Sequence, residues 1–324
     1  MIKRILFATD FSQWARRAED YACALACSWK ASLTVLSVAE FPPGLNPDYQ
    51  VNQQYLADLL KTASSHLVDL KGRVERRGIA VTTRVATGIP SEEVITAARA
   101  EDSDLIVVGT RGKTGLAHVL LGSTAERVIR GAPCPVLTVR MEPADLEEKE
   151  GALSKTVTLE RILVPVDFSD CSLDALGYAA MVAQQAKASL LLLHVLEPVS
   201  YGLDFTLGQS TARHADAETW TKRLEELVSS HQRPTMQVES QLRGGFPSDS
   251  ILDSAQTLPC DLIVMGTHGR RGISHALSGS VAEAVLRKAR CPVLTVRIQK
   301  FGLGHSQTVS EEISPKVHNS PRSQ

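Results

Sequence analysis

The sequence carries almost no net charge and no long apolar run. Its 324 residues include 35 Lys and Arg against 36 Asp and Glu, a formal net charge of -1. A near-neutral chain offers no strong electrostatic attraction to nucleic acid or to an anionic membrane, and no apolar stretch approaches the roughly 20 residues that a membrane helix needs. The opening MIKRILFATD also lacks the apolar segment and cleavage site of a signal peptide. We therefore expect a cytoplasmic protein whose partner is neither nucleic acid nor a membrane.

The six cysteines are scattered, with no C-x-x-C pair among them. This spacing is not that of a zinc ribbon or of a thioredoxin-type redox site, and no metal site is expected. Cys23 and Cys27 lie four residues apart on a predicted helix, where we expect them to be small core residues. Cys134 and Cys291 each precede a predicted strand, and no basic surrounding marks them as reactive thiols.

A phosphate-binding P-loop is also missing, although residues 109–123 read GTRGKTGLAHVLLGS and contain a suggestive Gly-Lys-Thr. The P-loop pattern G-x-x-x-x-G-K-[ST] would place its first glycine at position 107. That residue is Val107, inside the apolar run LIVV. The glycines of this stretch therefore need another explanation.

What the sequence does contain is the same unit twice. The segment ILFATDFS at 5–12 returns as ILVPVDFS at 162–169, and APCPVLTVR at 132–140 returns as ARCPVLTVR at 289–297. Both repeats are offset by 157 positions, and 20 of the 32 residues from 109 to 140 are identical in the second copy. Tandem duplication of one domain explains this pattern.

Each copy alternates short apolar runs with helical patterns. In copy 1 the strand RILFATD leads to a helix that starts at Ser12 and carries apolar residues at a spacing of three to four. Four further strands are predicted at 32–38, 80–86, 104–109 and 135–140, with helices inside 41–77 and at 91–101 and 123–131. Apolar strands separated by helices are typical of a parallel sheet that is covered on both faces. The predicted fold class is α/β, with two tandem doubly wound domains, each a five-stranded parallel sheet flanked by helices.

The repeats also predict the domain organisation. The two domains are expected at 1–140 and 159–298. Between them, 141–158 is charged, contains a proline and a glycine, and suits a linker. Residues 299–324 are polar without periodicity, which predicts a disordered tail.

Both copies keep a G-x2-G-x9-G-S framework while the residues inside it differ. The framework consists of Gly109, Gly112, Gly122 and Ser123 in copy 1, and of Gly266, Gly269, Gly279 and Ser280 in copy 2. Its first glycine ends an apolar strand, and its serine opens S-T-A-E or S-V-A-E, which predicts a capping box at a helix start. In doubly wound sheets ligands bind at such places, where the helix dipole and unpaired amides attract an anion. On spacing alone, phosphate binding and mere tight turns with a serine cap are equally favoured.

The chain resembles the universal stress protein family in its tandem two-domain form. The glycine framework, the first strand ending in Asp-Phe-Ser and the final Cys-Pro-Val-Leu-Thr-Val strand carry the resemblance, which covers about 1–140 and 159–298. It implies a HUP or adenine-nucleotide-hydrolase-like fold and ATP as the cofactor, with or without Mg. In the family the last strand mediates domain pairing. The resemblance therefore implies an internal pseudo-dimer and leaves a further homodimer open.

The resemblance also implies which residues form two ATP sites. Site 1 comprises Ala8, Thr9, Asp10, Val38, Gly109, Gly112, Gly122, Ser123 and Thr124. Site 2 comprises Pro165, Val166, Asp167, Val195, Gly266, Gly269, Gly279, Ser280 and Val281. By resemblance, the glycines and serines cradle the phosphates, the aspartates contact the nucleoside and the valines flank the adenine. Copy 2 has a Pro-x-Asp at its first strand, as the family does, whereas copy 1 has Ala8 in place of the proline.

Two pairs of polar residues allow a second interpretation. Asp10 and Asp167 have no paired acid or nucleophile that would make them catalytic, and an aspartate that bonds its local backbone is the alternative to a nucleoside contact. His118 and His275 occupy equivalent places inside the framework. No second ligand keeps a matching spacing, so we expect them to pack or cap locally rather than to bind a metal.

The leading functional hypothesis is an ATP-binding stress-response sensor or regulator, whose nucleotide alters a surface that an unknown protein partner reads. Three basic residues in the framework, Lys113, Arg270 and Arg271, either neutralise phosphate or face solvent. A slow ATPase or an adenylate-transferring enzyme is one alternative, against which stand the missing Walker lysine and the missing S-G-G-x-D-S loop. The other is a scaffold whose glycine loops are structural, with a lipid, a metal or nothing in its clefts.

Overall fold

The computed structural model describes residues 1–40, 49–110, 112, 121–141, 157–197, 209–267 and 279–297. The strands are β1 Arg4–Ala8, β2 Ser32–Ala39, β3 Val81–Thr87, β4 Leu105–Gly109, β5 Val136–Val139, β6 Arg161–Pro165, β7 Ser189–Leu196, β8 Val238–Gly244, β9 Leu262–Gly266 and β10 Val293–Val296. The helices are α1 Arg16–Trp29, α2 Gln50–Glu75, α3 Pro90–Ala100, α4 Ser123–Gly131, α5 Asp170–Ala186, α6 Gln209–His231, α7 Pro247–Thr257 and α8 Ser280–Lys288. The helix predicted from Ser12 begins as a 3-10 turn, Gln13–Ala15, with Ser12 as its N-cap residue.

The strands form one sheet in the order β3-β2-β1-β4-β5-β10-β9-β6-β7-β8. Every strand pair within a copy is parallel. The predicted α/β fold, with two doubly wound units of five parallel strands, is confirmed. In each unit the chain order reverses beside the first strand, between β1 and β4 in copy 1 and between β6 and β9 in copy 2.

The two copies are joined through their last strands. β5 and β10 pair antiparallel, with Leu137 opposite Leu294. The hydroxyl of Thr138 donates to the carbonyl oxygen of Val293 at 3.0 Å across this junction. The expected pairing of the copies as an internal pseudo-dimer is therefore present, and it produces a single ten-stranded sheet.

Alternating side chains of the strands feed two apolar layers. In β1, Ile5 and Phe7 pack in the layer that contains the apolar faces of α1, α2 and α5, whereas Leu6 packs in the layer of α3, α4, α7 and α8. All three side chains are almost fully buried. Burial on both faces explains why the inner strands read as continuous apolar runs, whereas β3 and β8 at the ends of the sheet carry exposed polar residues.

An aspartate fixes the start of the first strand in each copy. Asp104 Oδ2 accepts hydrogen bonds from the backbone amides of Lys3 at 2.8 Å and Arg4 at 2.9 Å. Asp261 Oδ2 binds the amides of Glu160 and Arg161 at the same two distances. These carboxylates are structural, and they hold the first strand in register with its neighbour.

Both predicted capping boxes are wrong. Helix α4 begins at Ser123, and its N-cap residue is Gly122, whose carbonyl oxygen accepts the first helical hydrogen bond from Glu126 at 3.0 Å. Helix α8 begins in the same way after Gly279, and no side chain caps either helix. Because the glycine already supplies the extended dihedrals and the carbonyl of the cap position, the serine falls within the first turn of the helix.

Candidate functional site

The carboxyl ends of the first and fourth strands of each copy bring the predicted site residues together. In copy 1, Ala8 of β1 lies in register with Val108 of β4, one residue before Gly109. The turn that follows β1 and the glycine framework that follows β4 therefore leave the sheet side by side. This is the place where chain order reverses, and it is where ligands of doubly wound sheets bind.

The turn after β1 holds Asp10 by local hydrogen bonds. Its Oδ1 accepts from the backbone amide of Ser12 at 3.0 Å, while Thr9 Oγ1 accepts from the amide of Phe11 at 3.0 Å. Phe11 sits in the left-handed region at φ 58°, which is a strained conformation for a bulky residue. Asp10 therefore makes the local backbone bond that the sequence left as one alternative, and its second oxygen remains directed at the glycine framework.

Gly112 is the framework residue that approaches Asp10. A Cβ atom on Gly112 would lie 2.9 Å from Asp10 Oδ2, closer than side-chain atoms normally approach. The absence of a side chain at this glycine therefore leaves room for the carboxylate. The structure thus places together one residue from the β1 turn and one from the framework, as the sequence pattern predicts.

The equivalent turn of copy 2 holds its aspartate through two hydrogen bonds from one serine. Asp167 Oδ1 accepts from both the amide of Ser169, at 3.0 Å, and its hydroxyl, at 2.5 Å. Phe168 repeats the left-handed conformation at φ 60°. In copy 1 the hydroxyl of Ser12 is buried and has no hydrogen-bond partner among the described residues. The two carboxylates are therefore held differently, although the backbone turn is the same.

The far end of the framework closes back onto the strand that precedes it. The amide of Gly122 donates to the carbonyl oxygen of Thr110 at 2.7 Å, and Gly279 binds Thr267 at the same distance. Gly122 has φ -73° and ψ 150°, and Gly279 has φ -55° and ψ 142°. Any residue adopts such dihedrals, so backbone conformation does not require glycine at either position.

The first turns of α4 and α8 supply the amides of the site. Ser123 and Thr124 begin α4, and Ser280 and Val281 begin α8. The first amides of a helix have no intrahelical partner and, with the helix dipole, attract anions. These residues lie where the sequence predicts, at the helix starts beside the carboxyl ends of β4 and β9.

Gly266 has a separate packing role. A Cβ atom there would lie 2.7 Å from Cys171 Sγ and 2.9 Å from Cys171 O, in the first turn of α5. Since one of these atoms belongs to the backbone, a side chain at this position would force the helix to move. This glycine is therefore required by the contact between β9 and α5, whatever else it touches.

The strand ends form a shallow apolar floor on the α3 and α4 side of the sheet. Ala8 and Val38 are half-buried and pack against that layer, together with Ala86 of β3. Val38 and Ala86 are paired in register across β2 and β3. In copy 2, the equivalent strand-end residues Pro165 and Val195 are also half-buried, whereas Val166 is fully buried.

Several predicted residues lie outside the described part of the chain. These are Gly269 of site 2, together with Lys113, His118, Arg270, Arg271 and His275. The linker interior at 142–156 and the tail from 298 onward are likewise outside it.

The cysteines behave as the sequence predicts, with one exception. Burial raises the pKa of the thiols of Cys23, Cys134 and Cys291 to about 12, so that they stay protonated at neutral pH. Cys23 is in the core, but Cys27 is exposed, and its expected core position is wrong. On α1 it follows Ala26, which the packing buries instead.

Sequence reasoning missed an aromatic cluster beside the turn of copy 2. The ring of Phe168 lies 5.1 Å from that of His194 and 5.2 Å from that of Trp220, between ring centroids. Arg223 stacks over Phe168 at 4.3 Å, and Nδ1 of His194 donates to the carbonyl oxygen of Val166 at 2.6 Å. The cluster supports the strained turn, but its members are too far apart in the sequence for a local pattern to reveal it.

The described residues contain neither a metal-binding cluster nor a membrane-spanning helix. Within those ranges, no three His, Cys, Asp or Glu side chains are grouped so that they could hold a metal ion. No described helix has the length and apolar character required to cross a bilayer.

Comparison with known proteins identifies the duplicated unit. The profile of the universal stress protein family matches residues 1–140 and 158–297. The chain belongs to the universal stress protein family. Both matches contain the β1 turn, the glycine framework and the closing strand.

Individual members of the family support this assignment. A universal stress protein of Methanocaldococcus jannaschii is 35% identical over 141 residues, which cover 43% of this chain and 83% of that protein. One from Mycolicibacterium smegmatis is 26% identical over 307 residues, or 90% of this chain and 96% of that protein. The crystal structure of a universal stress protein from Archaeoglobus fulgidus matches with a TM-score of 0.66 at 22% identity, covering 91% of this chain and 98% of that one. At that identity the structural likeness concerns the fold alone.

Proposed function

We propose that this universal stress protein binds ATP, with or without Mg, once in each copy, and acts as a cytoplasmic stress-response regulator. The units that carry the two sites are 1–140 and 159–298, with 141–158 as a linker and 299–324 as a tail. Binding at either site changes the segment between the fourth strand and the next helix. That segment forms a surface for a partner, which is either another protein or a second copy of this chain.

The observation that carries the proposal is the glycine at each helix start. Gly122 and Gly279 have dihedrals that any residue adopts, so they are not needed to make a turn. A glycine in such a position keeps the space beside the backbone amides open, so that a ligand can approach them closely. Triphosphate is the kind of anion that unpaired amides at a helix start bind.

Two further contacts supply the remainder of a nucleotide site. Asp10 is held beside Gly112 by the hydrogen bond from the amide of Ser12 to its Oδ1, and in this position its carboxylate accepts from a ribose hydroxyl. The half-buried floor around Ala8 and Val38 offers an apolar surface to a base. In this arrangement the helix start binds the phosphates, Asp10 binds the ribose, and the floor at the ends of β1 and β2 contacts the base.

A scaffold without nucleotide is the second candidate, and one observation favours it. Gly266 is required by its contact with Cys171, so at least one framework glycine has a purely structural reason. If all the glycines had such reasons, the framework would persist in a chain that binds nothing.

The deciding experiment is to denature freshly purified protein and to identify and count any released nucleotide by chromatography and mass. Gly122→Val, Gly279→Val and the double variant are compared with Gly72→Ala and Gly177→Ala. The last two are matched controls, because a Cβ at either position meets nothing within 4 Å. About two nucleotides per chain are expected in the parent and the controls, one in each single valine variant and none in the double. If the parent neither carries ATP nor takes it up when it is added, the scaffold replaces the proposal.

A further inference from the structure

Each copy exposes a large apolar side chain immediately before its third helix. Ile89 is 45% exposed and Phe246 is 68% exposed, and the two stand 157 positions apart. They are the N-cap residues of α3 and α7. An exposed apolar residue is common on a protein surface, but the same feature at the same position in both copies calls for a shared reason.

Stability alone does not supply that reason. The N-cap position favours Ser, Thr, Asp or Asn, whose side chains accept a hydrogen bond from the first helical amides. Neither α3 nor α7 has a side-chain cap bond. At each of these two positions the helix therefore lacks a side-chain cap, and an apolar side chain is exposed to water. Both features are unfavourable for stability.

A backbone hydrogen bond holds each of these residues beside the apolar floor at the strand ends. The amide of Gly88, which directly precedes Ile89, donates to the carbonyl oxygen of Ala39 at 3.3 Å. Ala39 is the neighbour of Val38 in β2, and Val38 is paired with Ala86, three residues before Ile89. The exposed residue is therefore held at the rim of the floor formed by the strand ends.

Copy 2 repeats this fastening. The amide of Gly245 donates to the carbonyl oxygen of Leu196 at 3.0 Å, next to Val195. Gly88 and Gly245 have φ of 147° and 140°, so the turn requires glycine and its path is the same in both copies. The position of the apolar residue is therefore set by the turn and not by packing of its own side chain.

We infer that Ile89 and Phe246 form the outer wall of the base subsite, where each contacts the face or edge of the purine. This inference rests on the proposed nucleotide binding and extends it to two residues that neither the glycine framework nor the β1 turn contains. A bound base would remove the exposed apolar surface from water. This explains why an apolar residue occupies the position where a polar cap residue would be more stable. Because Phe246 is aromatic, it stacks on the base, whereas Ile89 offers only aliphatic contact.

The test measures ATP affinity one site at a time. Phe246→Ser is examined with site 1 blocked by Gly122→Val, and Ile89→Ser with site 2 blocked by Gly279→Val. We expect Phe246→Ser to weaken ATP binding by roughly tenfold, as loss of one base stack does, and Ile89→Ser by a few-fold. Phe246→Tyr, which keeps the ring, restores the parent affinity.

A stability measurement separates this role from a structural one. Serine is a better N-cap than phenylalanine, so the melting temperature of Phe246→Ser should be equal to or above that of the parent while its ATP affinity falls. Val68→Ser, at another exposed apolar residue of 69% exposure, is the control and leaves ATP affinity unchanged. If the parent binds ATP and Phe246→Ser binds it equally well, the wall is overturned and the nucleotide proposal stands. A parent that binds no ATP overturns both.

Discussion

Asp10 and Gly112 meet at the switch point of the first copy, where a Cβ on the glycine would stand 2.9 Å from Oδ2 of the carboxylate. The two residues are far apart in the sequence, but Asp10 follows β1 and Gly112 follows β4, and these two strands are neighbours in the sheet. Each residue limits the other, since the glycine leaves space for the carboxylate and the local bond to Ser12 fixes the direction of that carboxylate. Substitution of the glycine therefore tests the position of the aspartate without replacing that residue.

Gly112→Ala is expected to lower ATP affinity at site 1 by about tenfold while the fold is kept. The added methyl displaces the end of a flexible side chain rather than backbone, so the protein adjusts by moving Asp10 away from the sugar. Loss of a hydrogen bond to a charged group is worth about 1.5–3 kcal/mol, which is tenfold or more in affinity. Calorimetric titration in the Gly279→Val background reads site 1 alone, with Gly72→Ala as control. Unchanged affinity in Gly112→Ala would remove Asp10 from the binding site.

Tyr178→Phe is expected to loosen the contact between the copies. The hydroxyl of Tyr178, on α5, donates to the carbonyl oxygen of Asp104 in copy 1 at 3.0 Å. Removing this bond leaves a carbonyl with one partner fewer and should lower the free energy of unfolding by about 1 kcal/mol. Urea denaturation measures it, and Tyr49→Phe, at a residue 68% exposed, serves as the control. Equal losses in the two variants would show that the bond between the copies contributes nothing.

The protein is expected to lose stability as the pH rises from 9 to 12. Burial raises the pKa of the thiols of Cys134 and Cys291 from 9.0 to about 12. Above pH 9 the unfolded chain releases these protons and the folded chain keeps them. Their stabilisation is therefore complete below pH 9 and declines above it, by up to about 1.4 kcal/mol per pH unit for each thiol. Burial also raises the pKa of Tyr178 above its ordinary value of 10.0, which acts in the same direction from about pH 10 upward.

Denaturant unfolding at several alkaline pH values, under a reducing agent, checks this expectation. Replacing both residues in the Cys134→Val, Cys291→Val variant should make the decline less steep, with the buried thiol of Cys23 still contributing, whereas Cys27→Ser, at an exposed position, should leave the decline in place. A decline that is the same in all three proteins would assign alkaline lability to other groups.

The inner strands of this chain could be predicted because burial on both faces of the sheet requires a run of apolar residues in each of them. Val136–Val139, for example, is a short apolar segment after a proline, and it forms β5 and pairs with β10 as expected. The helix that starts at Ser123 was also predicted, but its cap was not. The four residues Ser-Thr-Ala-Glu fit a capping box, and only the backbone shows that Gly122 already occupies the cap position.

The candidate site divides in the same way between what repeats in the sequence and what only the fold brings together. Gly112, Gly122 and Asp10 recur at a fixed offset, so the duplication revealed them. The strained turn at Phe11 and the fastening of Gly88 to the end of β2 depend on hydrogen bonds between segments, which no local pattern encodes. The repeated apolar residue at Ile89 and Phe246 was visible in the sequence, but only its exposure makes it unusual.

The antiparallel junction of β5 and β10 orients the two copies in opposite directions. The strands within each copy are parallel, and the two copies meet through an antiparallel pair. The carboxyl ends of β1 and β6 therefore point in opposite directions along the strand axis. A small protein that covers one candidate site therefore does not reach the other. The two candidate sites are thus separated by the four strands between β1 and β6, and they open in opposite directions.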